Sequence, residues 1–190
     1  EIPEIGNLET ITATGNCCSG VQGMKYAYMN IANGFVKNAV SSASERISKS
    51  MHSDNFEAEV KNLNKLEENN FIAFEKDFLR WMLSDGAGAF LLESEPKGKQ
   101  PLKIEWMEGY SYAHEIEACM YAGADKLEDG FLKPWSEYPS DQWSKKSLFA
   151  MKQDVKLLGE NILVKGVDSL KKAISKHSLK PEDIDYYLPH

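Results

Sequence analysis

The stretch Thr10–Glu45, TITATGNCCSGVQGMKYAYMNIANGFVKNAVSSASE, reads as strand, tight turn, helix, stop and second strand. Ile11 to Thr14 is short and β-branched, which suits a buried strand. Gly15-Asn16 permits a sharp change of direction. From Ser19 the apolar residues Val21, Met24, Ala27, Tyr28 and Ile31 recur at three and four, the spacing of one helix face. Asn33-Gly34 supplies the stop, and Val36 to Ala43 resumes as a strand of small residues. Cys18 is thereby expected at or just before the first helical turn, where free N–H groups and the positive dipole end favour an anion. An ordinary cysteine, with a pKa of about 8.5, is only a few per cent thiolate at neutral pH, and a helix N-terminus lowers that value. The plainer role for such a cysteine is packing, since small residues at strand–helix junctions are often buried. Of the adjacent pair, Cys18 is the better nucleophile candidate than Cys17, because Ser19-Gly20 lets the backbone approach a bound group.

Outward from this stretch, composition sets the class. The chain has 190 residues, 42% hydrophobic and 27% charged, an ordinary globular composition able to bury a core. A net charge of −7 argues against a nucleic-acid or anionic-membrane surface. No apolar run approaches the roughly 20 residues of a bilayer span. Three cysteines, two of them adjacent, do not form a disulfide framework and point to a reducing, cytoplasmic setting. His114 and Cys119 lie five apart and lack the paired spacing of a zinc site, so no metal is expected.

Further along, Ser53-Asp54 caps an expected helix carrying Phe56, Val60, Leu63 and Leu66, ending at Asn69-Asn70. Ser84-Asp85-Gly86-Ala87-Gly88-Ala89 reads as a glycine-rich turn feeding a buried strand to Glu93. It lacks the G-x-G-x-x-G pattern and following helix of a phosphate loop, so its small residues are read as allowing two backbones to approach. Leu102 to Met107 reads as a strand. Residues 109–146 are irregular and aromatic, with a short helix expected from near His114 to Gly123, and read as an insertion over a pocket. A long helix is expected from Ser147 to about Lys176, with Val155, Leu158, Ile162, Val167, Leu170 and Ile174 on one side. Lys165, Lys171, Lys172 and Lys176 decorate the other. Pro181 opens a helical turn, and Ile184 to Leu188 reads as a strand ending at His190.

Three motifs in order, Gly-Asn-Cys-Cys-Ser-Gly (15–20), Ser-Asp-Gly-Ala-Gly-Ala (84–89) and Leu-Lys-Pro-Glu-Asp-Ile-Asp-Tyr-Tyr-Leu-Pro-His (179–190), resemble β-ketoacyl-acyl-carrier-protein synthase III of the thiolase superfamily. Residues 8–45, 81–93 and 155–190 carry the resemblance; 46–80 and 109–146 do not. It implies an α/β, thiolase-like αβαβα layered fold, incomplete here, with the N-terminal start and C-terminal end of the family fold missing. Residues 1–108 would be the remainder of the N-terminal half with the nucleophile, 109–146 an insertion or linker, and 147–190 the start of the C-terminal half. Both ends of the chain look cut. Cys18 matches the family's nucleophile and His190 its active-site histidine, while the Asp85-Gly86-Ala87-Gly88 turn would be scaffold near the active centre. Cys17 departs from the small residue often found there, and the family's asparagine and C-terminal glycine loop would lie beyond His190.

The resemblance implies an acyltransferase that performs a decarboxylative Claisen condensation in fatty-acid or related polyketide synthesis. Cys18 would take an acyl group from acyl-CoA, and malonyl-acyl carrier protein would then lose CO₂ and attack it. His190 Nε2 would hydrogen-bond the enolate oxygen; losing one such donor typically costs about 2.7–4 kcal/mol. The Cys18 N–H would be half of the oxyanion hole for acyl transfer. No cofactor is implied beyond the substrates acyl-CoA and malonyl-carrier protein. The implied partners are the acyl carrier protein, with Lys165, Lys171 and Lys172 as docking candidates, and a second copy in a homodimer; nucleic acid and membrane are not. Residues 1–190 alone are expected not to complete condensation. Two alternatives stay open: another thiolase-fold acyltransferase, such as a thiolase or a resorcinol- or polyene-type synthase, and a non-catalytic partner subunit.

Overall fold

The helix forms where its spacing predicts. In the computed structural model, which describes residues 6–52, 54 and 81–189, α1 spans Ser19–Ala32. Asn33 closes it, and Gly34 turns the chain away at φ 73°, a left-handed conformation that a side chain would strain. Its covered face is Gly20, Gly23, Met24, Ala27, Tyr28 and Ile31, with Ala27 buried. Val21, which the spacing places on that face, is 56% exposed. The glycines decide the packing instead: a Cβ on Gly20 would sit 3.4 Å from Ala43 Cβ, so α1 lies close against the next strand.

That strand is β1, Asn38–Glu45, two residues later than its sequence pattern suggests. It pairs antiparallel with β2, Gly86–Glu93, in a register running from Asn38 opposite Glu93 to Glu45 opposite Gly86. The expected glycine-rich turn is thus part of the strand itself. Close approach occurs at Gly20 rather than at Gly86 or Gly88, where an added Cβ would meet no heavy atom within 4 Å. Between the two strands comes α2, a single turn over Ile47–Ser50 with Ile47 buried. Because opposed residues share a face, α1 covers the side holding Ala39, Ser41 and Leu92. The other side leaves Val40 and Leu91 exposed at 68% and 64%.

Two of the strands expected in this part of the chain are absent among the described residues. Neither Ile11–Thr14 nor Leu102–Met107 is a strand, because neither finds a ladder partner among the described residues. Ala13 instead lies near Gly23 of α1, and the Glu105 carbonyl accepts a hydrogen bond from the Tyr28 hydroxyl at 3.4 Å. The described residues of Glu1–Ser48 and Ser84–Met107 form one compact unit; those of Lys49–Leu83 and Glu108–His190 form a second.

In the second unit the short helix expected up to Gly123 is replaced by a strand and a turn. β3 (Met120–Tyr121) pairs with β6 (Lys152–Gln153), and β4 (Ala124–Lys126) pairs with β5 (Leu132–Pro134), both antiparallel. Gly123, at φ 71°, makes the bend between β3 and β4; its N–H donates to Leu148 O and its carbonyl accepts from Trp135 N. A single-turn helix, α3, covers Ser140–Trp143. Trp135, Trp143 and Phe149 pack edge to face or tilted, with centroids 5.1–5.7 Å apart, and Leu148 is fully buried.

The long helix α4 spans Val155–Lys176, starting eight residues later than expected and ending where expected. Asp154 accounts for the difference: its carboxylate accepts from Leu157 N at 3.0 Å and caps the first turn. The segment before it is held in β6. Ser178, at φ 54°, ends the helix, and Pro181–Asp183 forms the turn that Pro181 predicts. No strand forms over Ile184–Leu188, where Tyr187 and Leu188 stay exposed. The helix expected from Ser53 to Asn70 lies outside the described residues, apart from Asp54.

Candidate active site

Cys18 occupies the cap position of α1. Its backbone is already helical (φ −81°, ψ −4°), and its carbonyl accepts the first helical hydrogen bond from Gln22 N at 3.0 Å. The turn before it closes through Ser19 N to Asn16 O at 3.1 Å, with Gly15 at φ 149°. The Cys18 side chain makes no capping hydrogen bond and is exposed, as is Cys17. An exposed thiol on the residue at a helix N-terminus is accessible to an electrophile and lies near the positive end of the peptide dipoles.

His190, the second candidate, lies outside the described residues.

Cys119 is a contrasting thiol. It is half-buried in the approach to β3, where Gln153 Nε2 donates to its sulfur at 2.8 Å and to its carbonyl at 3.2 Å. Burial pushes its pKa up, outweighing the Gln153 hydrogen bond, so it is held as a thiol. Gln153 is itself 4% exposed, which fixes the pair. Sequence spacing carries no sign of this partner.

The Asp85-Gly86-Ala87-Gly88 motif has a definite structural role. Asp85 accepts from Ser48 Oγ at 2.6 Å and from Ser48 N at 2.8 Å, so it caps α2 from a distant part of the chain. Those hydrogen bonds hold its carboxyl below the usual carboxylate range. A carboxylate so occupied fixes the start of β2 against the end of β1.

The lysine candidates on α4 are mostly engaged. Lys165 pairs with Glu115 and stands 4.7 Å from the Tyr112 ring centre. Lys172 pairs with Asp168 at 2.7 Å, and the same carboxylate accepts from the Tyr112 hydroxyl at 2.6 Å. Lys176 and His177 both reach Glu108, at 3.0 and 2.8 Å. These hydrogen bonds lower the pKa values of Glu108, Glu115 and Asp168. Lys171, which is exposed, is the one of the three docking candidates without an ion pair among the described residues.

Among the described residues no group of three or more His, Cys, Asp or Glu side chains is placed to hold a metal ion, and His114 instead lies 3.0 Å from Glu115. No helix there is long and apolar enough to cross a membrane. The chain matches no family model and no curated protein sequence.

Proposed function

We propose that this chain carries the acyl-accepting cysteine of a condensing acyltransferase resembling β-ketoacyl-acyl-carrier-protein synthase III. The observation that supports it most is the setting of Cys18, an exposed thiol on the residue that caps a 14-residue helix. Cys17 lies one residue outside that cap, and Cys119 is held as a half-buried thiol.

In this reading Cys18 Sγ, as thiolate, attacks the thioester carbonyl carbon of acyl-CoA. The tetrahedral intermediate collapses with loss of CoA thiolate, which takes up a proton, and leaves an acyl-cysteine. The malonyl thioester on the carrier protein then loses CO₂. The carbon–carbon bond forms at the acyl carbonyl carbon, and the Cys18 thiolate leaves as the β-ketoacyl-carrier product is released. His190 Nε2 donates a hydrogen bond to the thioester oxygen while it carries enolate charge.

The test uses the complete protein with a panel of acyl-CoA primers and malonyl-carrier protein. Cys18→Ser is expected to abolish β-ketoacyl product. His190→Ala is expected to lose condensation far more than cysteine acylation, and equal losses would remove the histidine from the enolate step. Product formed from two acyl-CoA molecules without malonyl donor would favour a thiolase, and products of repeated extension a resorcinol-type synthase. Failure of every primer to acylate the protein would point to a non-catalytic partner subunit.

A further inference from the structure

Of the chain's three cysteines, Cys17 and Cys18 are both exposed, free thiols, and they are consecutive. Cys119 is half-buried and held as a thiol by that burial, so it offers no competing partner. The acyl transfer proposed above uses Cys18 and leaves its neighbour without a role. A cysteine that reacts as thiolate and is open to solvent is also open to oxidants, and a second thiol beside it gives a reversible way back. The local backbone can accommodate a bridge. Residues 15–18 form a turn ahead of α1, closed by Ser19 N to Asn16 O, and a Cβ on Gly15 would meet no heavy atom within 4 Å. Residues joined by a trans peptide have Cα atoms about 3.8 Å apart, below the roughly 4.4–6.8 Å of an ordinary disulfide. The bridge therefore closes only by distorting this turn, and a strained disulfide is readily reduced. That suits a transient cap in a reducing setting rather than a structural bond.

We propose that Cys17 is a resolving thiol, which traps peroxide-oxidised Cys18 as a reversible Cys17–Cys18 disulfide. Cys18 is the thiol oxidised first, since it caps α1 near the positive end of the peptide dipoles while Cys17 lies one residue outside. Its thiolate attacks one oxygen of hydrogen peroxide. The O–O bond breaks, the sulfur becomes a sulfenic acid, and the departing hydroxide takes up a proton as water. Cys17 then gives up its proton and attacks the Cys18 sulfur. The S–S bond forms, the S–O bond breaks, and the hydroxide leaves as water with that proton. In sum, two thiols lose two hydrogen atoms and the peroxide is reduced to two waters. In the bridge the Cys18 sulfur is protected from irreversible sulfinic oxidation, and a thiol reductant restores both residues. That the bridge also switches off acylation rests on the proposed function; the bridge itself does not.

The experiment treats the complete protein with hydrogen peroxide and follows intact mass and peptide maps before and after dithiothreitol. Wild type is expected to lose the mass of two hydrogen atoms within a single peptide holding both residues, and to regain it on reduction. Cys17→Ser, an exposed and nearly isosteric change, is expected to gain oxygen on Cys18 instead, ending as a sulfinic acid that dithiothreitol does not reverse. Cys18→Ser is expected to form no bridge. Acyl-CoA added at each stage separates the two proposals. Oxidised wild type is expected to refuse the acyl group until reduced, whereas a reduced protein that is never acylated but still bridges contradicts the proposed function and supports the resolving thiol. Wild type that gains oxygen on Cys18 as Cys17→Ser does would overturn the proposal. So would a bridge to Cys119 or to another chain, or a wild type whose mass does not change.

Discussion

Gly123 shows how one residue sets a local architecture. At φ 71° it turns β3 into β4, and a Cβ there would lie 3.3 Å from Trp135 Cδ1. Gly123→Ala is expected to cost about 1–2 kcal/mol from the left-handed backbone alone, read as a lowered midpoint in urea unfolding. Leu148, whose carbonyl accepts from Gly123 N, is fully buried. Leu148→Ala is therefore expected to cost about 2–5 kcal/mol, and a loss below about 1 kcal/mol would mean the site collapses or is solvated. The nucleophile candidate is legible from its neighbours, Ser19-Gly20 and the helix spacing that follows. The character of Cys119 is not, because Gln153 lies 34 positions away and is joined to it only by strand pairing.

At the scale of elements, legibility follows how local the cause is. Helix α1 is readable end to end because its spacing lies within its own residues and its Asn33-Gly34 stop follows directly. The start of α4 is misplaced by its sequence pattern because apolar residues precede it, while the deciding signal is the single carboxylate of Asp154. Strands at 11–14 and 102–107 are legible as compositions only, since a strand exists by pairing and the partner is not written in the segment. Polar groups attach residues 108–115 to α4, which makes that attachment pH-dependent. The pKa values of Glu108 and Glu115 are lowered from 4.5 by hydrogen bonds from Lys176, His177 and Lys165, and that of Asp168 is lowered from 3.8 by Lys172 and Tyr112. Depressed carboxylate values stabilise the folded arrangement above the ordinary value, and the contribution is lost as pH falls through the lowered one. Amide protection at Glu115 and Ile116, which both donate to Tyr112 O, is expected to hold above pH 4.5 and fall below it. Protection unchanged down to about pH 3 would show that the ion pairs do not hold the segment.

At the scale of the whole molecule, the described residues bury few large side chains and leave apolar side chains exposed on both faces of the β1–β2 sheet, Phe90 on the α1 side and Val40 and Leu91 on the other, and along α4. Such surfaces are where further elements or partners pack. The layered fold implied by the three motifs rests on resemblance alone, since every sheet among the described residues is two-stranded and antiparallel. The functional reading consequently rests on chemistry at one position. It is tested most directly by peptide mapping of the complete protein after treatment with acyl-CoA. The expected result is one acyl group, on Cys18, absent from Cys18→Ala and absent from Cys17 and Cys119. An acyl group on Cys17, or undiminished acylation of Cys18→Ala, would contradict it.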